Sequence, residues 1–241
     1  VTDALPIPVT SRRDQIVAGV RDSFAAGLGM YPIGIAFGLL VVQSGLPWWM
    51  APGLSIAGFA GSLELLVVGL AAAATPLATI ALTTFLVNFR HVFYAFSFPL
   101  HVVRGRGARV YSMYALIDEA WAVAAATPEK WTGPRLLSMQ LAYQAYWVSG
   151  GLTGVLVAGL MPGPVEGLEF ALCALFVTLT LDAARSRREV PTMLLAALSF
   201  AGGLAVAPDD ALFVAMLAFV ALLAVRHLAT VRLRPAGDAR A

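Results

Sequence analysis

The sequence predicts an all-α fold: a polytopic membrane helical bundle of seven or eight spans, with a re-entrant or broken helix in its first half. Three observations lead there. Of the 241 residues, 59% are hydrophobic and only 12% charged, and the mean hydropathy is +0.80, the composition of a membrane protein. No charge falls between Asp22 and Glu64, between Glu64 and Arg90, or between Arg135 and Glu166, whereas one span needs about 20 apolar residues. The alternation of barrel strands is missing, which leaves helices to satisfy the backbone within lipid.

The first residues, with Pro6, Pro8, Arg12, Arg13 and Asp14, are polar and irregular. They read as a cytoplasmic tail and interfacial helix over residues 1–23 rather than as a signal peptide. Spans are expected at 24–44, 54–73, 77–99, 110–127, 137–160, 167–183, 190–206 and 210–228, within a single transmembrane domain over 24–230. A basic cytoplasmic tail, 231–241, closes the chain. Punctuation separates the spans: "GLPWWMAPG" at 45–53, "VVRGRGAR" at 102–109, "TPEKWTGPR" at 127–135, "MPGPVEG" at 161–167 and "APDD" at 207–210. Trp48, Trp49 and Trp131 suit interfacial belts. The lone Cys173 excludes an intramolecular disulfide.

Basic residues fix the orientation by their cytoplasmic preference. Arg226, His227, Arg232 and Arg234 place the C-terminus inside, "PDD" outside, "RSRRE" inside and "MPGPVEG" outside. The first half conflicts: three full crossings from an inside N-terminus would put "RGRGAR" outside. Either the rule is broken there, or one early segment dips in and returns without crossing. The candidates are glycine-rich "GFAGSLE" at 58–64 and charged "YALIDEAW" at 114–121, since irregular backbone at membrane depth is tolerated where it lines a cavity.

Charges within the apolar runs point to function. Each Asp, Arg or Lys at a helix centre costs about 2.5–3.5 kcal/mol on insertion scales, so Glu64, Arg90, Asp118 and Glu119 need partners, protons or water. On a straight helix Asn88 and His91 share a face and Arg90 points away, so one cavity receives all three only if the helix breaks there. Tyr111, Tyr114 and Asp118 follow helical spacing along one stripe. Gln140, Tyr143, Gln144 and Trp147 give another segment a polar and aromatic face, and Gly61 lies in the suspected dip. The bland alternatives are a snorkelling Arg90 at a span end and a structural carboxylate paired with it. Small residues at four-residue spacing, Gly34 with Gly38 and Gly150 with Gly154, suit close helix approach.

Enzyme chemistry finds no support. The chain has no G-x-x-x-x-G-K-[ST] loop, no H-E-x-x-H and no G-x-S-x-G. Its three histidines, at 91, 101 and 227, are scattered, which gives no metal cluster. Neither a cofactor nor nucleic-acid binding is expected. Buried titratable groups in a polytopic bundle suit a solute transporter, with Arg90 facing an anionic group and the acids carrying protons.

"NFRH" at 88–91 and "IDEAWAV" at 117–123, with "PIGIAFG" at 32–38, "GFAGSLEL" at 58–65, "YWVSGGLTG" at 146–154 and "GLEFALCALFV" at 167–177, resemble the AzlC family of bacterial branched-chain amino-acid exporters. The resemblance runs from about residue 16 to 228. It implies the large subunit of a two-component exporter in the bacterial inner membrane, driven by the proton-motive force and paired with a small AzlD-type membrane protein of about four spans. It also implies that Asn88, Arg90, His91, Asp118 and Glu119 form the substrate or proton pathway. Members commonly carry glutamine where this chain has Glu64, which adds a carboxylate to that set. Gly61, Tyr114, Gln140 and Trp147 are expected to line the cavity. The rival readings are a channel or exporter for another small solute and a structural membrane subunit of a larger complex.

Overall fold

The computed structural model describes residues 11–89, 91–163, 165–167, 177 and 190–232. Among these residues every regular element is helical. The expected span at 167–183 falls almost wholly outside them, as do Cys173, Arg90 and the tail beyond 232. The chain forms two compact units, one from Val1–Ile80 with Val87–Val165 and one from Ala81–Leu86 with Glu166–Ala241.

Two long helices organise the first unit. Helix α1, Arg12–Gln43, starts at a capping box in which the Asp14 N–H donates to Ser11 Oγ and the Ser11 N–H donates back to Asp14 Oδ2. It ends where Gly45 takes a positive φ and Leu46 N–H donates to the Val41 carbonyl, the left-handed cap that terminates many helices. The helix is continuous across residue 23, so the expected interfacial segment and first span are one element. Between it and the second long helix come three interrupted pairs: α2 Met50–Ala57 with α3 Gly61–Ala72, α4 Leu77–Asn88 with α5 His91–Ser97, and α6 Arg106–Tyr114 with α7 Asp118–Ala126. The expected spans 54–73 and 110–127 are therefore each divided, while in 77–99 the helical stretch Leu77–Ser97 carries a turn at Phe89 beside residue 90, which lies outside the described residues. The dips suspected at 58–64 and 114–121 coincide with the first and third divisions. Helix α8, Gly133–Leu160, then opens with Pro134 in its first turn, where the missing N–H costs nothing.

Helices α1 and α8 meet through glycine. A side chain at Gly34 would lie 3.0 Å from the Trp147 carbonyl, and one at Gly38 or Gly154 would run into the carbonyl oxygens of Gly151 or Ile35. Backbone rests on backbone, the close approach that small residues permit. The pairs Gly19 with Arg135, Gly34 with Gly150 and Gly38 with Gly151 rise together in number, so the two helices are parallel and their starts share one end.

That end resolves the charge conflict. Thr132 Oγ1 donates to Gln15 Oε1 (2.9 Å), and Asp22 accepts from Arg135 (2.7 Å) and Lys130 (3.1 Å). Ala108, near the start of α6, lines a cleft with Arg12 and Trp131, while Trp131 Nε1 donates to the Ala124 carbonyl near the end of α7 (3.1 Å). Helices α6 and α7 thus enter and leave at the same end. At nine residues each they reach about 13 Å, well short of the roughly 30 Å hydrocarbon thickness. They form a re-entrant hairpin. The "RGRGAR" loop sits beside the start of α1.

In the second unit α9, Val190–Val206, and α10, Ala211–Arg232, pack through a turn at Pro208–Asp210. Gly203 makes room for the Ala211 carbonyl, and Arg226 Nη1 donates to Thr192 Oγ1 (2.9 Å).

Candidate functional site

The three interruptions of the first unit converge. A cavity of about 230 Å³ is lined, among the described residues, by Gly58, Phe59 and Ala60 from the first, Asn88 and His91 from the second, and Met113, Tyr114 and Leu116 from the third. Interrupted helices leave orphan N–H and C=O groups, and each lacks water as a partner inside a membrane. The side chains that satisfy them define the site.

At the first interruption the chain bends sharply. Phe59 adopts φ +41, a left-handed conformation costing roughly 1–2 kcal/mol for a residue with a Cβ, and is held there by burial and by its ring against Tyr114 at 6.0 Å. Glu64, only 1% exposed, closes the bend. Its Oε1 accepts from the Ala60 N–H (3.0 Å), and its Oε2 accepts from Ser55 Oγ (2.7 Å) and Trp147 Nε1 (2.9 Å). Nine residues of straight helix would separate Ser55 and Glu64 by about 13 Å, so the shared hydrogen bond requires the bend. Among the described residues no cation lies within salt-bridge distance of this carboxylate. Trp147 stacks on Phe37 at 5.8 Å and covers Gly61, where a side chain would meet the indole at 2.9 Å.

The third interruption is closed by an amide. Gln140, fully buried, donates from Nε2 to the carbonyls of Ser112 and Ala115 (both 2.9 Å) and accepts from Ser112 Oγ at 2.8 Å. Gln144 accepts from Tyr111 (2.9 Å) and donates to Tyr114 Oη (2.9 Å). Tyr114 in turn donates to the Ile56 carbonyl, joining the third interruption to the first across the cavity. Helix α8 supplies Gln140, Gln144 and Trp147 from one face, so a single helix braces both bends.

The second interruption carries the groups suited to protons. His91 Nδ1 donates to the Asn88 carbonyl (3.0 Å), and Nε2 lies 3.9 Å from Asp118 Oδ1. With Nδ1 engaged as donor, Nε2 is the nitrogen left facing the carboxylate. The ring stands edge-on to Tyr94, which stacks on Trp121 at 4.8 Å. Asp118 and Glu119 open α7, where the helix dipole favours carboxylates. Asn88 lines the cavity, and its Oδ1 is buried without a hydrogen-bond partner among the described residues.

Of the expected residues, Asn88, His91 and Tyr114 line the cavity, and Asp118 stands beside His91. Glu64, Gly61, Gln140 and Trp147 lie behind it as braces. Arg90 is outside the described residues. The stripe expected from Tyr111 through Tyr114 to Asp118 stops at Tyr114, because Ala115–Ile117 breaks the helix. Sequence reasoning missed Ser55 and Ser112, whose only signal is polarity within apolar runs. Among the described residues no three His, Cys, Asp or Glu side chains gather to hold a metal ion.

The family model for the AzlC protein matches residues 25–161, which contain all three interruptions. The chain is 28% identical over 183 residues to the branched-chain amino acid transport protein AzlC of Bacillus subtilis, covering 71% of this chain and 70% of that protein. It is also 28% identical over 182 residues to the inner membrane protein YgaZ of Escherichia coli, covering 71% and 74%. An uncharacterized membrane protein of Helicobacter pylori is 28% identical over 158 residues, covering 64% and 69%. No solved structure gives a significant match.

Proposed function

This chain belongs to the AzlC family, and on that premise we propose that it is a multi-pass secondary transporter of the bacterial inner membrane. It serves as the large subunit of a two-component exporter for branched-chain and related apolar amino acids, with a small AzlD-type protein as partner. It has no enzymatic step and no cofactor. The name of the Bacillus subtilis relative supports the substrate class, and that of the Escherichia coli relative supports the inner membrane.

The observation that carries the reading is the composition of the cavity. Phe59, Met113 and Leu116 offer apolar surface, and Asn88 Oδ1 is a buried acceptor without a partner. An unsatisfied buried acceptor costs about 1–3 kcal/mol. A substrate ammonium would relieve that cost while its aliphatic side chain lies on the apolar wall. The volume of about 230 Å³ is below the roughly 300–1,000 Å³ of drug-sized clefts and suits a small solute. Arg90 is assigned the substrate carboxylate by its charge and its place in the chain between Asn88 and His91. His91 Nε2 and Asp118 are assigned the coupled proton, with Glu119 as the adjoining acid.

Efflux of labelled leucine, isoleucine, valine and methionine from proteoliposomes, with and without the partner, tests the reading. Efflux that falls when the proton gradient is collapsed is expected, and Asn88→Leu and Asp118→Asn are expected to lower it at least about tenfold, one hydrogen bond to a charged group being worth about 1.5–3 kcal/mol. Correctly inserted variants that transport like the parent would overturn the site assignment. Failure of all four amino acids to move would overturn the substrate.

A further inference from the structure

The shared end of α1 and α8 holds two basic clefts that differ in one respect. In a cleft of about 670 Å³, Arg13, Arg21 and Arg135 are interleaved with Asp14 and Asp22, and Arg135 is paired with Asp22 at 2.7 Å. In the neighbouring cleft of about 870 Å³, the lining includes Arg12, His101 and Arg104 but no carboxylate among the described residues. Neither Arg12 nor Arg104 has a carboxylate oxygen within 4.0 Å among those residues. Two carboxylates offset most of the positive charge of the first cleft, while the lining of the second supplies none among the described residues.

The second cleft is also built. Its basic groups come from separate parts of the chain: the first turn of α1, the short helical turn at Leu100–Val102, and the segment before α6. These are fastened together by the hydrogen bond from Thr132 to Gln15 and by Gly133, where a side chain would lie 2.9 Å from the Val102 carbonyl. The remaining wall is apolar, from Val102, Trp131 and Leu137.

We propose that this cleft binds the phosphate headgroup of an anionic phospholipid, with Arg12 and Arg104 as its principal ligands and His101 beside them. Guanidinium groups match phosphate oxygens in pairs, and basic pockets between membrane helices on the cytoplasmic side select anionic lipids. The apolar wall favours a lipid over a free phosphate ion, because it faces the glycerol and first methylenes. The site is separate from the transport cavity, so its test does not depend on transport.

The full chain, purified in neutral detergent and stripped of lipid, would be offered phosphatidylglycerol, phosphatidylcholine or inorganic phosphate, and retained adducts counted by native mass spectrometry. Retention of phosphatidylglycerol but not phosphatidylcholine is expected, undiminished by millimolar phosphate. Arg12→Gln with Arg104→Gln should lower retention about thirtyfold, and either alone about fivefold, from roughly 1 kcal/mol per basic side chain at an anionic lipid surface. Arg13→Gln with Arg21→Gln in the neutralised cleft should leave it unchanged. Should the double variant fail to assemble, the single ones decide. Retention equal to the parent in Arg12→Gln and Arg104→Gln, equal retention of phosphatidylcholine, or full displacement by inorganic phosphate would overturn the proposal.

Discussion

The bends at Gly58–Ala60 and Ala115–Ile117 face each other across one cavity, yet they are closed by opposite chemistry. The first presents an N–H at the start of a helix, and a carboxylate receives it together with Ser55 and Trp147. The second presents carbonyls at the end of a helix, and the carboxamide of Gln140 donates to two of them. An ionised acid only accepts, whereas an amide does both. The polarity of the exposed backbone therefore dictates which side chain closes each bend. In this chain both oxygens of Glu64 accept, whereas an amide turned either way would set its NH₂ against the Ala60 N–H or the Trp147 N–H.

Exchanging the two closures breaks the comparison. Gln140→Glu should do the most damage, since a buried carboxylate would face two carbonyl oxygens. A loss of about 4 kcal/mol is expected, the size seen when a buried charge is left unpaired. That corresponds to a fall of about 10 °C in melting temperature, readable by thermal unfolding in detergent. Glu64→Gln should cost about 2 kcal/mol, one buried donor losing its acceptor. Combining it with Trp147→Phe sharpens the point: removing the competing N–H should give a coupling of about 1 kcal/mol between the two positions, and strict additivity would contradict the assigned hydrogen bonds. Tyr114→Phe should cost least, about 1 kcal/mol. It is nonetheless expected to raise amide hydrogen exchange at both 54–60 and 111–116, because Tyr114 is the link between the bends. Faster exchange at one bend alone would show that they are independent.

Much of this was legible in the sequence. Hydropathy and missing charge located the helices, and the glycine-rich and charged stretches marked two of the bends. The conflict of "RGRGAR" with the positive-inside rule has its structural counterpart in that segment lying beside the start of α1. What stayed hidden were partners and conformations set by distant residues. Nothing local to Glu64 reveals that Trp147, 83 positions away, donates its indole N–H to the second carboxylate oxygen. Within the glycine-rich stretch it is Phe59 that takes the left-handed turn, packed against Tyr114. Periodicity carried the stripe of Tyr111 and Tyr114 on to Asp118, and only the break at Ala115 shows that it stops.

The glycine seam between α1 and α8 has a mechanical consequence. Carbonyl oxygens of one helix sit where the other has no side chain, at Gly34, Gly38, Gly150 and Gly154, and sliding by one turn would carry two of these four oxygens past the glycines into Cβ atoms. The pair acts as a fixed mast with no register to slip into. Any rocking that opens the cavity to one face and then the other must come from the short rigging around it, the re-entrant α6–α7 hairpin and the bent α2–α3 pair, each secured to the mast by hydrogen bonds from one face of α8.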